Sequence, residues 1–190
     1  MEHFVDGQFD LIMTKDKDQS TFFKICLIGA PKTGKTSFLN YQSTCKKAVN
    51  YGATISADVK SLFFSTNCGK YELVVWDIPG HSRCQKPEYY LHSAGALAFY
   101  TPSTIKETNE LVLNFKKICP NVPIFNIWSF SDLFDQNVTV DAKIRSQGGR
   151  PTYLTSSVND SDDQLLWTHF LRVLTKKPHL ELINEFEQVD

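Results

Sequence analysis

The sequence has little of what marks secreted, membrane-bound or nucleic-acid-binding proteins. Its 20 Lys and Arg against 21 Asp and Glu leave a net charge of −1, so no excess of positive charge indicates nucleic acid or an anionic membrane as a partner. No apolar run approaches the roughly 18 residues of a membrane span, and neither terminus carries a signal peptide or a prenylation cysteine. We expect a soluble intracellular protein with no membrane anchor and no direct contact with nucleic acid.

The cysteines are too scattered for a disulfide framework or a zinc site. There are 5 of them, and no two have the C-x-x-C spacing that is typical of redox and metal motifs. Cys26 lies inside an apolar run, as a buried free thiol does. This usage favours a reducing compartment, the cytosol or the nucleus.

Aromatic residues, in contrast, are plentiful: 14 Phe, 7 Tyr and 3 Trp in 190 residues. They are enough to fill a sizeable core, and the length favours one domain. Residues 1–20 are polar and predict a flexible extension. We expect the folded domain over 21–178 and a short tail over 179–190.

Apolar strands alternate with helices along this domain. Strands are predicted at 22–28, 59–64, 73–76, 95–100, 124–128 and 153–155. The link Asn67-Cys68-Gly69 is short enough for an antiparallel hairpin, whereas the strand–helix alternation indicates parallel pairing. The sequence therefore predicts an α/β fold with a six-stranded, mostly parallel sheet, one antiparallel edge strand and helices on both faces.

Two helices carry start or stop signals. Thr104 and Glu107 have the spacing of a capping box, which predicts a helix start at Thr104 before the buried positions Leu111 and Phe115. The last helix is expected to hold Lys176 and Lys177 in its final turn and to stop at Pro178.

A phosphate-binding motif lies between the first strand and the first helix. G-A-P-K-T-G-K-T at 29–36 matches G-x-x-x-x-G-K-[ST] at every required position. The glycines let backbone N–H groups face the phosphates, and the helix N-terminus adds positive charge. We expect Lys35 to reach the β- and γ-phosphates. The nucleotide-binding residues predicted here are Gly29, Ala30, Pro31, Lys32, Thr33, Gly34, Lys35, Thr36 and Ser37.

Three residues beyond this loop define a metal and a switch. Asp77 ends an apolar strand, at the position that holds Mg²⁺ through water in such folds. Gly80 completes a D-x-x-G motif and can offer its N–H to the γ-phosphate, and Thr54 is placed to close over the metal. We therefore predict that Mg²⁺ binds at Thr36, Thr54 and Asp77, and that Thr54 and Gly80 belong to the nucleotide site.

With these motifs the chain resembles a small GTPase of the Ras superfamily and, within it, the Ran branch. The similarity spans about residues 21–182, with 51–55 as the first switch, 88–90 in the second and 178–181 as the branch's C-terminal signature. The resemblance implies a P-loop small G domain that binds GTP and GDP with Mg²⁺. It also implies Ran-type partners (importin-like receptors, exchange factors and activating factors) and a location in the nucleus and cytoplasm.

The chain departs from the family where guanine is read. The family's N-K-x-D motif is S-F-S-D at 129–132, so the carboxylate that accepts from guanine remains while the lysine is replaced by a phenyl ring. The S-A-K loop reads S-S-V at 156–158, which keeps a backbone donor. The resemblance thus implies that the base contacts Ser129, Phe130, Asp132, Ser156 and Ser157.

A second departure affects hydrolysis. His81 stands where the family has the glutamine that orients the attacking water, so we predict slow GTP hydrolysis with His81, Lys35 and Gly80 as the catalytic residues. Two readings stay open: a guanine-nucleotide switch, or a pseudo-GTPase that competes for Ran's partners with little turnover. A P-loop kinase or ATPase is disfavoured, because the hairpin and the D-x-x-G spacing belong to the GTPase arrangement.

Overall fold

The computed structural model describes residues 21–44, 54–129, 150–155 and 161–183. Within these ranges the chain forms six strands and three helices, with two short 3₁₀ turns at Ser82–Cys84 and Pro87–Tyr89. In chain order the elements are β1 (Thr21–Ile28), α1 (Lys35–Thr44), β2 (Asp58–Thr66), β3 (Gly69–Asp77), β4 (Gly95–Tyr100), α2 (Ile105–Ile118), β5 (Ile124–Ser129), β6 (Thr152–Thr155) and α3 (Ser161–Thr175). No described helix is both long and apolar enough to cross a membrane.

The six strands form one sheet in the order β2-β3-β1-β4-β5-β6. Only the β2–β3 pair is antiparallel, and every other neighbouring pair is parallel. The hairpin turns where predicted: Thr66 Oγ1 accepts from the Cys68 N–H at 3.1 Å and donates to Gly69 O at 2.7 Å. The predicted α/β fold, with a mostly parallel sheet and one antiparallel edge strand, is confirmed.

Two apolar layers cover the sheet because side chains alternate between its faces. On one face Ile25 and Leu27 of β1 pack into a cluster with Leu39 of α1 and Phe170 of α3. On the other face lies a second cluster, built from Cys26, Ile28, Leu111, Val112 and Phe115. Strands β4 and β5 are buried along their whole length. The prediction of helices on both faces is therefore confirmed.

Two predictions about helix ends are wrong. Helix α2 starts after Thr104 as expected, but Thr104 makes no side-chain cap. Its Oγ1 instead accepts from the Thr101 N–H at 3.0 Å, since the hydroxyl bonds more readily inside its own turn. Helix α3 ends at Thr175, and Lys176 has a left-handed φ of 57°. The two lysines therefore follow the helix, because a left-handed residue closes its C-terminus.

The C-terminal segment 179–183 packs onto the β2–β3 turn. Asn67 donates its backbone N–H to Glu181 O at 3.1 Å, and its Oδ1 accepts from the Glu181 N–H at 2.9 Å. Leu180 is fully buried in the first cluster. This segment, assigned to the tail by the sequence, is thus held against the domain, whereas the predicted extension over 1–20 and the tail beyond 183 lie outside the described residues.

Candidate functional site

The loop between β1 and α1 has a backbone that requires glycine. Gly34 has a left-handed φ of 83°. At Gly29 the φ is 156°, and a Cβ there would lie 2.7 Å from Phe99 O. Strand β1 lies between β3 and β4, so the loop opens at the edge of a parallel sheet where the strand order reverses, which is the usual ligand site of such sheets.

Lys35 is the buried cation of this loop. Its side chain is only 6% exposed, and Nζ donates to Gly29 O at 2.8 Å, Ala30 O at 2.9 Å and Thr33 Oγ1 at 3.3 Å. Burial lowers the pKa of the ammonium from 10.5 to about 8, although the negative charge of Asp77 opposes that change. A desolvated ammonium among neutral acceptors is an electrostatic site for an anion.

Thr36, Thr54 and Asp77 meet beside Lys35. Thr36 Oγ1 donates to Asp77 Oδ2 at 2.5 Å and lies 3.0 Å from Thr54 Oγ1. Asp77 is fully buried, and burial raises the pKa of its carboxyl. Its other oxygen, Oδ1, is buried with no hydrogen-bond partner in the described part of the chain.

This donor set fits a hard divalent cation. Magnesium prefers carboxylate and hydroxyl oxygens, and an unpartnered buried carboxylate oxygen is costly unless a cation or water satisfies it. The sequence had predicted these three residues as the metal site. The structure brings them together, although residues 45–53 between the first helix and Thr54 lie outside the described ranges.

A cavity of about 260 Å³ opens beside Lys35 and the two threonines, Thr36 and Thr54. Its lining consists of residues that the sequence had predicted for the site: Pro31, Lys32, Thr33, Gly34, Lys35, Thr36, Ser37, Thr54, Gly80 and His81. Gly29 and Ala30 are buried behind this lining. They contribute to the site through their carbonyls, which accept from Lys35.

The D-x-x-G segment lies directly against the phosphate loop. A Cβ on Gly80 would be 2.4 Å from the backbone nitrogen of Pro31, so only glycine fits this approach. His81 follows at the cavity mouth with an exposed side chain. The side chain of Gln85 fixes the segment by donating to Pro79 O at 3.0 Å.

The predicted base-binding residues are only partly within the described ranges. Ser129 ends β5, is 5% exposed, and its Oγ has no hydrogen-bond partner among the described residues. It lies at the same sheet edge as the phosphate loop because β1, β4 and β5 run parallel, but it does not line the cavity. Phe130, Asp132, Ser156 and Ser157 lie outside the described residues, so base recognition stays a prediction.

A comparison with protein families decides the class of this site. The family model described as "Ras of Complex, Roc, domain of DAPkinase" matches residues 24–132, more than half of the chain. The chain belongs to the Roc family. Roc domains are small GTPase domains of the Ras superfamily, so the resemblance predicted from the motifs is confirmed at that level.

The matched range of the Roc domain runs from β1 to the S-F-S-D segment and includes the whole cavity lining. The family implies a GTP-binding switch whose ligands are a guanine nucleotide and Mg²⁺. The geometry is consistent with this class: Lys35, Thr36 and Thr54 line one cavity, and Asp77 is bonded to Thr36 directly behind that lining.

The sequence motifs of this Roc domain do not include one residue that is hydrogen-bonded to the phosphate loop. Thr108 of α2 is fully buried, and its Oγ1 accepts from the Ala30 N–H at 3.1 Å. The only signal in the sequence is a threonine on the buried stripe of α2, beside Leu111 and Val112. Such a residue normally indicates packing, and its link to the phosphate loop is visible only in three dimensions.

Proposed function

We propose that this Roc domain is a guanine-nucleotide switch that binds GTP with Mg²⁺ and hydrolyses it slowly. The observation that carries the proposal is a buried ammonium with only neutral hydrogen-bond acceptors, beside a buried carboxylate with one oxygen left over. The Lys35 ammonium is buried among neutral acceptors, and Asp77 Oδ1 is buried with no hydrogen-bond partner among the described residues. A nucleotide phosphate with its magnesium ion satisfies both at once.

Each residue has a definite task in this proposal. Lys35 balances the charge of the β- and γ-phosphates, assisted by the N-terminus of α1. Thr36, Thr54 and Asp77 hold Mg²⁺, which supplies further neutralisation of phosphate charge when bound. Thr54 lies four residues before the start of β2 at Asp58, so holding it at the metal orders the segment that leads into the hairpin, and releasing it frees that segment.

Hydrolysis depends on how His81 holds a water. Its side chain is exposed at the cavity mouth, and a neutral imidazole offers one donor and one acceptor at a different reach from a glutamine amide. We expect His81→Gln to speed single-turnover GTP hydrolysis by about tenfold, a change of about 1.4 kcal/mol in the barrier. Rapid quench of preloaded protein measures this rate.

The matched control is His81→Ala, which removes both ring nitrogens. If the imidazole contributes little, the alanine variant hydrolyses GTP as slowly as the native protein. A native rate equal to that of His81→Gln would show that His81 already positions the water, and the proposal of slow GTP hydrolysis would have to be abandoned.

Guanine selectivity is assigned to Asp132, whose carboxylate can accept from guanine N1 and the exocyclic amine. Asp132→Asn should weaken GTP binding and favour xanthosine triphosphate, because that base has a carbonyl where guanine has its amine. Competition with a fluorescent guanine nucleotide measures the change. Ser129→Asn with Phe130→Lys should tighten GTP in the same assay, and no change in selectivity in either variant would show that 129–132 does not read the base.

We further propose Ran-type partners and a location in both nucleus and cytoplasm. The support is the resemblance of residues 178–181 and of the switch segments to that branch. The expected result is that an importin-like receptor binds the protein loaded with a non-hydrolysable GTP analogue and not the GDP form. Equal binding, or none, in the two forms would argue against a transport switch.

The alternative is a pseudo-GTPase that occupies Ran's partners with little turnover. Two departures in the sequence favour it: the S-F-S-D segment lacks the family's lysine, and His81 stands in place of the catalytic glutamine. Nucleotide extracted from protein purified without added nucleotide distinguishes the two functions. Bound GDP or GTP supports the switch, whereas an empty site supports the pseudo-GTPase.

A further inference from the structure

A buried hydroxyl on helix α2 is hydrogen-bonded to the phosphate loop. Thr108 is fully buried on the apolar stripe that holds Leu111, Val112 and Phe115. Its Oγ1 donates to Phe99 O at 3.1 Å and accepts from the Ala30 N–H at 3.1 Å. A hydroxyl at such a position is tolerated only when its hydrogen bonds are made, and here one is made with the loop at Ala30 and the other with β4 at Phe99.

These contacts hold one peptide group from two sides. The Gly29–Ala30 peptide donates its N–H to Thr108 and accepts at its carbonyl from Lys35 Nζ at 2.8 Å. Rotation of that peptide plane would break both hydrogen bonds. The same place leaves no room for a side chain, since a Cβ on Gly29 would lie 2.7 Å from Phe99 O, the carbonyl that Thr108 also binds.

We propose that Thr108 is a positioning residue for nucleotide binding. It fixes the orientation of the Gly29–Ala30 peptide, whose carbonyl in turn fixes the Lys35 ammonium at the phosphate cavity. The inference rests on the proposed nucleotide function and assigns it a residue on α2, outside every motif of the site. Without the hydroxyl, the Ala30 N–H loses its buried acceptor, and the peptide gains freedom to turn away from Lys35.

Two substitutions separate positioning from packing. Thr108→Val keeps the volume and removes the hydroxyl, whereas Thr108→Ser keeps the hydroxyl and removes a methyl group. The affinity of each variant for a fluorescent GTP analogue in Mg²⁺ is compared with its thermal midpoint and with hydrogen exchange at the Ala30 amide. A positioning role predicts that Thr108→Val weakens the affinity for the GTP analogue by about tenfold and speeds hydrogen exchange at the Ala30 amide. Thr108→Ser should stay within about threefold of the native affinity.

A packing role predicts the reverse order: the affinity of Thr108→Val stays close to the native value, and the affinity of Thr108→Ser falls in proportion to its lost stability. That order, or native affinity in the valine variant, would overturn the inference while leaving the proposed function intact. Failure of the native protein itself to bind the GTP analogue would refute the proposed function, and with it the positioning role, whatever the exchange rate at Ala30. The three outcomes are therefore distinguishable in one set of measurements.

Discussion

Lys35→Met should abolish nucleotide binding and leave the nucleotide-free domain as stable as the native protein, or more stable. The ammonium is 6% exposed and donates to three neutral acceptors. Burial lowers its pKa from 10.5 to about 8, which means that the charged form is disfavoured in the folded domain by about 3 kcal/mol. The nucleotide's phosphate groups relieve that cost, so the residue benefits binding at the expense of stability.

The loss of affinity should be about 100-fold or more, since charge-assisted hydrogen bonds to phosphate are lost. A fluorescent guanine nucleotide measures affinity, and thermal unfolding in EDTA measures stability. Lys60→Met is the matched control: Lys60 is half-buried on β2 and its Nζ donates to Asn40 Oδ1, but it does not line the cavity. Native affinity in Lys35→Met would refute the assignment of the phosphate loop.

Asp77→Asn should remove the dependence of nucleotide affinity on Mg²⁺. Within the part of the chain that the structure describes, the native Oδ1 is buried without a hydrogen-bond partner, and burial raises the pKa of the carboxyl, so the charge is unfavourable until a cation binds. Asparagine has the same shape without the charge, and its amide can donate to Thr36 Oγ1. We therefore expect a folded variant whose metal-free thermal midpoint equals or exceeds the native value.

In Mg²⁺ the affinity of this variant for GTP should fall by about tenfold or more, to the level of the native protein in EDTA. Asp58→Asn provides the control, because Asp58 lies opposite Asp77 in the β2–β3 register but is exposed. It should keep the native response to Mg²⁺. If Asp77→Asn retains that response, the metal binds elsewhere.

The parts of the site that follow from the sequence are those with a local signal. The G-x-x-x-x-G-K-[ST] motif specifies its own backbone, so the sequence predicts that residues 31–37 lie together, and in the structure they line the cavity around Lys35. The all-apolar pattern of 95–100 likewise predicted a central strand, and β4 is buried throughout. In both cases the signal that predicts the structure lies in consecutive residues.

The parts that could not be predicted depend on contacts between distant residues. Thr108 and Ala30 are 78 positions apart, and the pairing of Asn67 with Glu181 spans 114 positions. The predicted side-chain cap at Thr104 is wrong for a related reason, because the Thr104 hydroxyl has competing partners in its own turn and a capping motif does not show which one it takes. No pattern in one sequence ranks such alternatives.

Calorimetric titration of nucleotide-free protein with GTP tests most directly whether the cavity is a magnesium-dependent guanine nucleotide site. We expect binding in Mg²⁺ with a dissociation constant of about 1 μM or tighter, weakened by about tenfold in EDTA and by a similar factor when ATP replaces GTP. Absence of binding heat with GTP in Mg²⁺, confirmed by an unchanged thermal midpoint, would contradict it.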